Sequence, residues 1–215
     1  MPTTQQLIDA VATDLAALQQ DIQETARDLQ ALRDALLSEV NQISRTLLIL
    51  WIGQNTPAPT DDYSNSDCGP ACVAMLIDSI GSVTVDDVSK QTGLPPGYTY
   101  TLAEHLIKAA AYWNIKLVRT FGVTLDLIKH EIDNSRPLIA LVHYGSLAMK
   151  FDQKYQKGHW VCIVGYNANE IIYHDPYWPD QRGAYVHLDQ ALFVKAMGDC
   201  ALDGNTPWQA LLRIV

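Results

Sequence analysis

Three side chains whose types suit acyl-transfer chemistry stand in order along this sequence: the thiol of Cys68, the imidazole of His159 and the carboxylate of Asp175. Cys68 lies in SDCGPACVAMLIDSIG (66–81), a stretch that starts like a loop and ends like a helix. At a helix N-terminus, aligned backbone N–H groups favour the thiolate, which is the nucleophilic form. A free cysteine is as often a small buried hydrophobe, so the segment by itself leaves both readings open. His159 opens the apolar run HWVCIVGY (159–166), and Asp175 closes EIIYHD (170–175), with a polar turn at 167–169 between them. His159 lies eight residues before Asn167 and Asp175 eight after it. A hairpin closing symmetrically there makes the two side chains cross-strand neighbours on one face. That pairing orients a general base. A slip of one residue would turn them to opposite faces.

The other candidates have weaker patterns. Cys72 falls one turn after Cys68, and Cys162 follows His159 by three residues. A zinc site from Cys68, Cys72, His159 and Cys162 lacks the paired spacing of structural zinc sites, so no metal is expected. Cys72 and Cys200 read as buried apolar thiols. Trp160 and Trp178 flank the proposed site and read either as a substrate wall or as core. No cofactor is called for.

The elements that must position these residues change character along the chain. After a linker, GQNTPAPTDDYSNSD (53–67), come a helix from about 68 to Gly81 and two helices capped by Thr84 with Asp87 and by Thr101 with Glu104. A fourth covers TLDLIKHEIDNS (124–135). Strand-like runs follow at 138–144, 159–166, 170–175 and 209–214. Helices first and strands later predict an α+β domain with a largely antiparallel sheet.

DCGPACVAM, then GHWVCIVGY, then HDPY, in that order, resembles the papain-like cysteine peptidases related to the bacteriocin-processing, double-glycine-leader peptidases. The resemblance covers about residues 53 to 215. It implies a papain-like domain at 68–215 with Cys68 as nucleophile, His159 as base and Asp175 as orienting acid. The family carries a Gln a few residues before the nucleophile, donating to the oxyanion. Residues 62–67 here contain none; Gln54, fourteen residues back, is the nearest, with Asn65 as the fallback. The implied reaction is hydrolysis of a peptide or isopeptide bond. Two alternatives stand beside it: a non-catalytic, oligomeric peptide-binding pseudo-peptidase, and an acyl transferase using the same triad.

Residues 1 to 52 lie outside that resemblance. With Ile8 at position a, the a positions are Ile8, Leu15, Ile22, Leu29, Leu36, Ile43 and Leu50, all Ile or Leu. At d, Val11, Leu18 and Leu32 are apolar, whereas Thr25, Glu39 and Thr46 are not. This narrow seam predicts a coiled coil and self-association through residues 1–52, rather than a helix folded back on its own domain. The formal net charge of −9 and the lack of any basic run argue against nucleic acid or an anionic membrane as partner. No apolar run is long enough to span a bilayer, and no secretory signal opens the chain. With no disulfide spacing among the cysteines, a cytoplasmic, reducing setting is expected.

Overall fold

The N-terminal fifty residues contain no glycine, and no proline after Pro2, and Thr4–Asn41 forms one unbroken helix, α1. Its start is capped reciprocally: Gln6 N donates to Thr3 Oγ1, and Thr3 N donates to Gln6 Oε1 at 2.8 Å. The structure is a computed structural model that describes residues 2–41, 44–55, 66–77, 83–95, 97–200 and 210–215. It divides into two compact units, Met1–Ile43 and Ser44–Val215. No helix among the described residues is long and apolar enough to cross a membrane.

The helix therefore stops short of the expected residue 52. Arg45–Thr46 is a short strand, β1, paired antiparallel with the central strand of the second unit. Leu47 N donates to Val164 O at 2.7 Å, and Trp51, Gly53 and Gln54 are buried. LLILWI (47–52) is thus a non-helical segment of the second unit, with Trp51 buried and Leu48 and Leu50 exposed, and Leu50 is no part of a helical seam. The linker expected at 53–67 likewise starts and ends inside the packed unit, since Ser66 and Asp67 are also buried.

The second unit mixes helices with an antiparallel sheet, as the sequence predicts. The helices are α2 (Cys68–Ile77), α3 (Val85–Thr92), α4 (Ala103–Tyr112), α5 (Leu125–Asp133) and α6 (Gln190–Gly198). The strands are β2 (Leu117–Thr120), β3 (Leu138–His143), β4 (Gly158–Tyr166), β5 (Glu170–His174), β6 (Val186–Asp189) and β7 (Leu211–Ile214). Their order in the sheet is β2-β7-β3-β4-β5-β6, and β1 pairs with β4 beyond the end of β3. β2 and β6, four residues each, are not foreseen in the sequence.

Alternation along β4 divides the core. Trp160, Cys162 and Val164 face the cluster built with α2 and α4, whereas Val161 and Ile163 face the one built with α5 and α6. Nearly all of β3 and β4 is buried, as a central pair covered on both faces must be. Thr84 and Asp87 cap α3 reciprocally, as expected. Thr101 is not the cap of α4: Leu102 takes that position, and its N–H donates to His105 Nδ1 at 3.1 Å.

Candidate active site

Helix α2 starts at Cys68 because Asp67 is its cap by backbone: Ala71 N donates to Asp67 O at 2.8 Å. Pro70 falls in the first turn, where a missing N–H costs nothing. Gly69 allows close approach to α4, since a Cβ there would overlap Thr101 Oγ1 and lie 2.8 Å from Leu106 Cδ2. The Asp67 side chain turns away from the helix end. It accepts from Ser89 Oγ at 2.9 Å and from the Tyr98 hydroxyl, tying the Cys68 end of α2 to α3. Cys68 alone of α2 is not buried.

The β4–β5 hairpin turns as expected. Asn167 Oδ1 accepts from the N–H groups of Asn169 and Glu170. Its register is not the symmetric one. Near the turn Tyr166 faces Ile171 and Gly165 faces Ile172; beyond a bulge, Ile163 faces Tyr173 and Cys162 faces His174. Continued without the bulge, the first register would set Asp175 opposite Cys162 and turn it away from His159. The extra residue shifts the pairing by one and returns both to one face. Asp175 then lies across from Val161, so His159 is its diagonal neighbour rather than its direct one. An imidazole spans that distance: His159 Nε2 is 2.7 Å from Asp175 Oδ1, with both side chains buried.

Asp175 is fixed on several sides. Tyr177 N donates to the same Oδ1 at 2.9 Å, Asp175 N donates to Gly183 O at 2.8 Å, and Trp51 Nε1 donates to Asp175 O at 3.0 Å. With Nε2 of His159 engaged by Asp175, Nδ1 is left for the hydrogen bond to the Cys68 thiol. Burial pushes the His159 imidazole toward its neutral form. The charges of Asp175 and Cys68, and its hydrogen bonds to both, outweigh burial and raise it to about 10. Tyr144 packs edge-on against the ring at 4.8 Å between centroids.

Gln54 reaches the same place by the segment after β1. Ile49 O accepts from His174 Nε2 at 2.9 Å, Trp51 bonds Asp175, and Gln54 N donates to Pro176 O at 2.8 Å. Gln54, Cys68, Tyr155, His159 and Tyr177 line one small cavity. Asn65 lies outside the described residues. Trp160 is in the core, its Nε1 donating to Thr101 O at 3.0 Å, and does not line the cavity. Trp178 is also in the core cluster, against Phe151 and under Arg182. Tyr155 and Tyr177 are lining residues that sequence reasoning missed; Tyr177 is the last residue of the HDPY segment and carried the only usable signal.

The family model described as Peptidase_C39 like family matches residues 47–197. The chain belongs to the Peptidase_C39 like family. Its matched part begins inside the segment that carries Trp51 and Gln54, and ends within α6. Among solved structures, a C39-like peptidase from Bacillus anthracis is similar with a TM-score of 0.55 at 16% identity, over 80% of this chain and 97% of that one. The peptidase domain of Streptococcus ComA, a bi-functional ABC transporter involved in a quorum-sensing pathway, is similar with a TM-score of 0.47 at 19% identity, over 69% of this chain and 90% of that one. No curated protein is a significant match to the chain. The resemblance of DCGPACVAM, GHWVCIVGY and HDPY to this group of peptidases is thus upheld at the level of family and fold.

Proposed function

We propose that this C39-like chain hydrolyses a peptide or isopeptide bond through Cys68, His159 and Asp175, in a reducing compartment where its thiols stay free. One observation carries the reading: a half-buried thiol at a helix N-terminus shares a cavity with an imidazole whose far nitrogen is bound 2.7 Å from a buried carboxylate. Asp175 holds the imidazolium, and the imidazolium with the α2 N-terminus holds the Cys68 thiolate. The thiolate attacks the carbonyl carbon, and its electron pair moves onto the carbonyl oxygen. The backbone N–H of Cys68 and the Gln54 side chain receive that oxyanion. His159 gives its proton to the leaving amine as the C–N bond breaks, which leaves a thioester on Cys68. A water then attacks the thioester, losing its proton to His159, and the acid departs as the C–S bond breaks and the Cys68 thiolate re-forms beside the imidazolium.

The test is turnover of a peptide mixture by the full chain, set beside its Cys68→Ala and His159→Ala variants. Cleavage by the wild type alone, with a thioester trapped on Cys68 by rapid acid quench, is the expected result. No cleavage, together with a Cys68 alkylation rate unchanged by His159→Ala, would establish a pseudo-peptidase instead.

A further inference from the structure

We propose that α1 is a dimerisation helix, pairing in parallel and in register with α1 of a second copy of this chain. The inference rests on α1 alone and is independent of the catalytic reading. Ile8, Leu15, Ile22 and Leu29 at a, with Val11, Leu18 and Leu32 at d, are 55–62% exposed. A helix of 38 residues, about 57 Å long at ~1.5 Å per residue, thus presents a straight apolar seam with the 3.5-residue period of a coiled coil. That period fits another helix carrying the same repeat better than a sheet or a groove, because knobs at a and d need holes spaced to match.

The flanking positions choose the orientation. Position g carries Asp14, Asp21 and Asp28, and position e carries Gln19, Ala26 and Arg33. An antiparallel pair sets g against g, which brings acid against acid. A parallel pair sets each g against the e position of the next heptad: Asp14 by Gln19, Asp21 by Ala26 and Asp28 by Arg33 of the other copy. The last is an ion pair, made twice by symmetry, and the first two carry no repulsion. The parallel arrangement wins on charge.

The strand number follows from the seam. Ile alternates with Leu at a, and no d position carries Ile, whereas Ile at d is what moves such seams to three or four strands. Between Ile8 and Leu32, Thr25 at d is the one polar residue at a and d. Its hydroxyl already donates to Asp21 O at 2.9 Å, so burial in a dimer strands no donor.

Sedimentation equilibrium on the full chain tests the proposal, with an expected mass of two 23.9 kDa chains. Replacing Leu15 and Ile22 together by Asp is expected to give one-chain mass while leaving Cys68 alkylation unchanged. Orientation is read from Leu18→Cys. In a parallel dimer its two copies face each other at d within disulfide reach, and mild oxidation yields a covalent dimer absent from the oxidised wild type. A one-chain or three-chain mass for the wild type overturns the proposal. So does a dimer that survives the two aspartates, or one that Leu18→Cys fails to cross-link.

Discussion

The indole Nε1 of Trp51 donates to the carbonyl oxygen of Asp175 at 3.0 Å, and this bond ties the segment bearing Gln54 to the strand end bearing the acid. Gly183 passes directly beside it: a Cβ there would overlap Asp175 O and lie 2.7 Å from Trp51 Nε1. Neither neighbour is the free end of a flexible side chain. Gly183→Ala is therefore expected to cost about 1–3 kcal/mol of stability, the range for overpacking a filled interior. Trp51→Phe keeps most of the packing and loses the bond, at about 0.5–1.5 kcal/mol. Urea midpoints of both variants check the order, and both are expected to lower peptide turnover more than they lower Cys68 alkylation. A Gly183→Ala protein as stable as wild type would show that the Trp51–Asp175 junction is loose.

The four thiols should differ sharply in reactivity. Burial pushes Cys162 and Cys200 up to about 12 and raises Cys72 well above its ordinary value. Cys68 is the only one of the four that is not buried. Brief treatment of the folded chain with a haloacetamide near neutral pH is expected to add one group, on Cys68, by peptide mass mapping. Comparable labelling of Cys72 or Cys162 would mean that the α2–β4 core opens readily.

Gln54 is expected to act on the oxyanion and not on the thiol. Its loss in Gln54→Ala should lower kcat by about 10²–10³-fold, the usual cost of one oxyanion donor. Alkylation of Cys68 by a haloacetamide forms no oxyanion and should keep its rate. Equal loss in both assays would make Gln54 a positioning residue for the thiol.

These four side chains were legible to different depths. Cys68, His159 and Asp175 announce themselves because local signals surround them: a helix start, a strand start and a hairpin end. Their facing could not be read, because it turns on a single extra residue in β4 that no composition signal marks. Gln54 could be named only as the nearest glutamine. LLILWI fits a coiled-coil seam as well as a packed extended segment, and backbone bonds to Val164 and Pro176 decide between them. Trp160 is settled by alternation. It follows His159 directly in sequence, and of its two readings the core one holds, because it lies on the other face and its N–H donates to Thr101 O.

The His159–Asp175 pair gives the sharpest prediction, because its sign is fixed. Burial of the imidazole lowers its proton affinity, and the charges of Asp175 and Cys68 more than reverse that, raising it from 6.5 to about 10. A group raised in the folded state binds its proton more tightly there than in the unfolded chain. Its contribution to stability is therefore complete below about pH 6.5 and is lost as pH rises through about 10. The midpoint of urea unfolding should fall across that window. In Asp175→Asn the carboxylate charge is gone while burial remains, so the decline should flatten and the protein should be less stable than wild type at its acid end. Thiol reactivity should follow the same proton: the wild-type rate of Cys68 alkylation, measured from pH 5 to 10, should show a His159-dependent component that Asp175→Asn moves to lower pH. Identical pH profiles for wild type and Asp175→Asn, in both unfolding and alkylation, would mean that the carboxylate orients the ring without holding its charge.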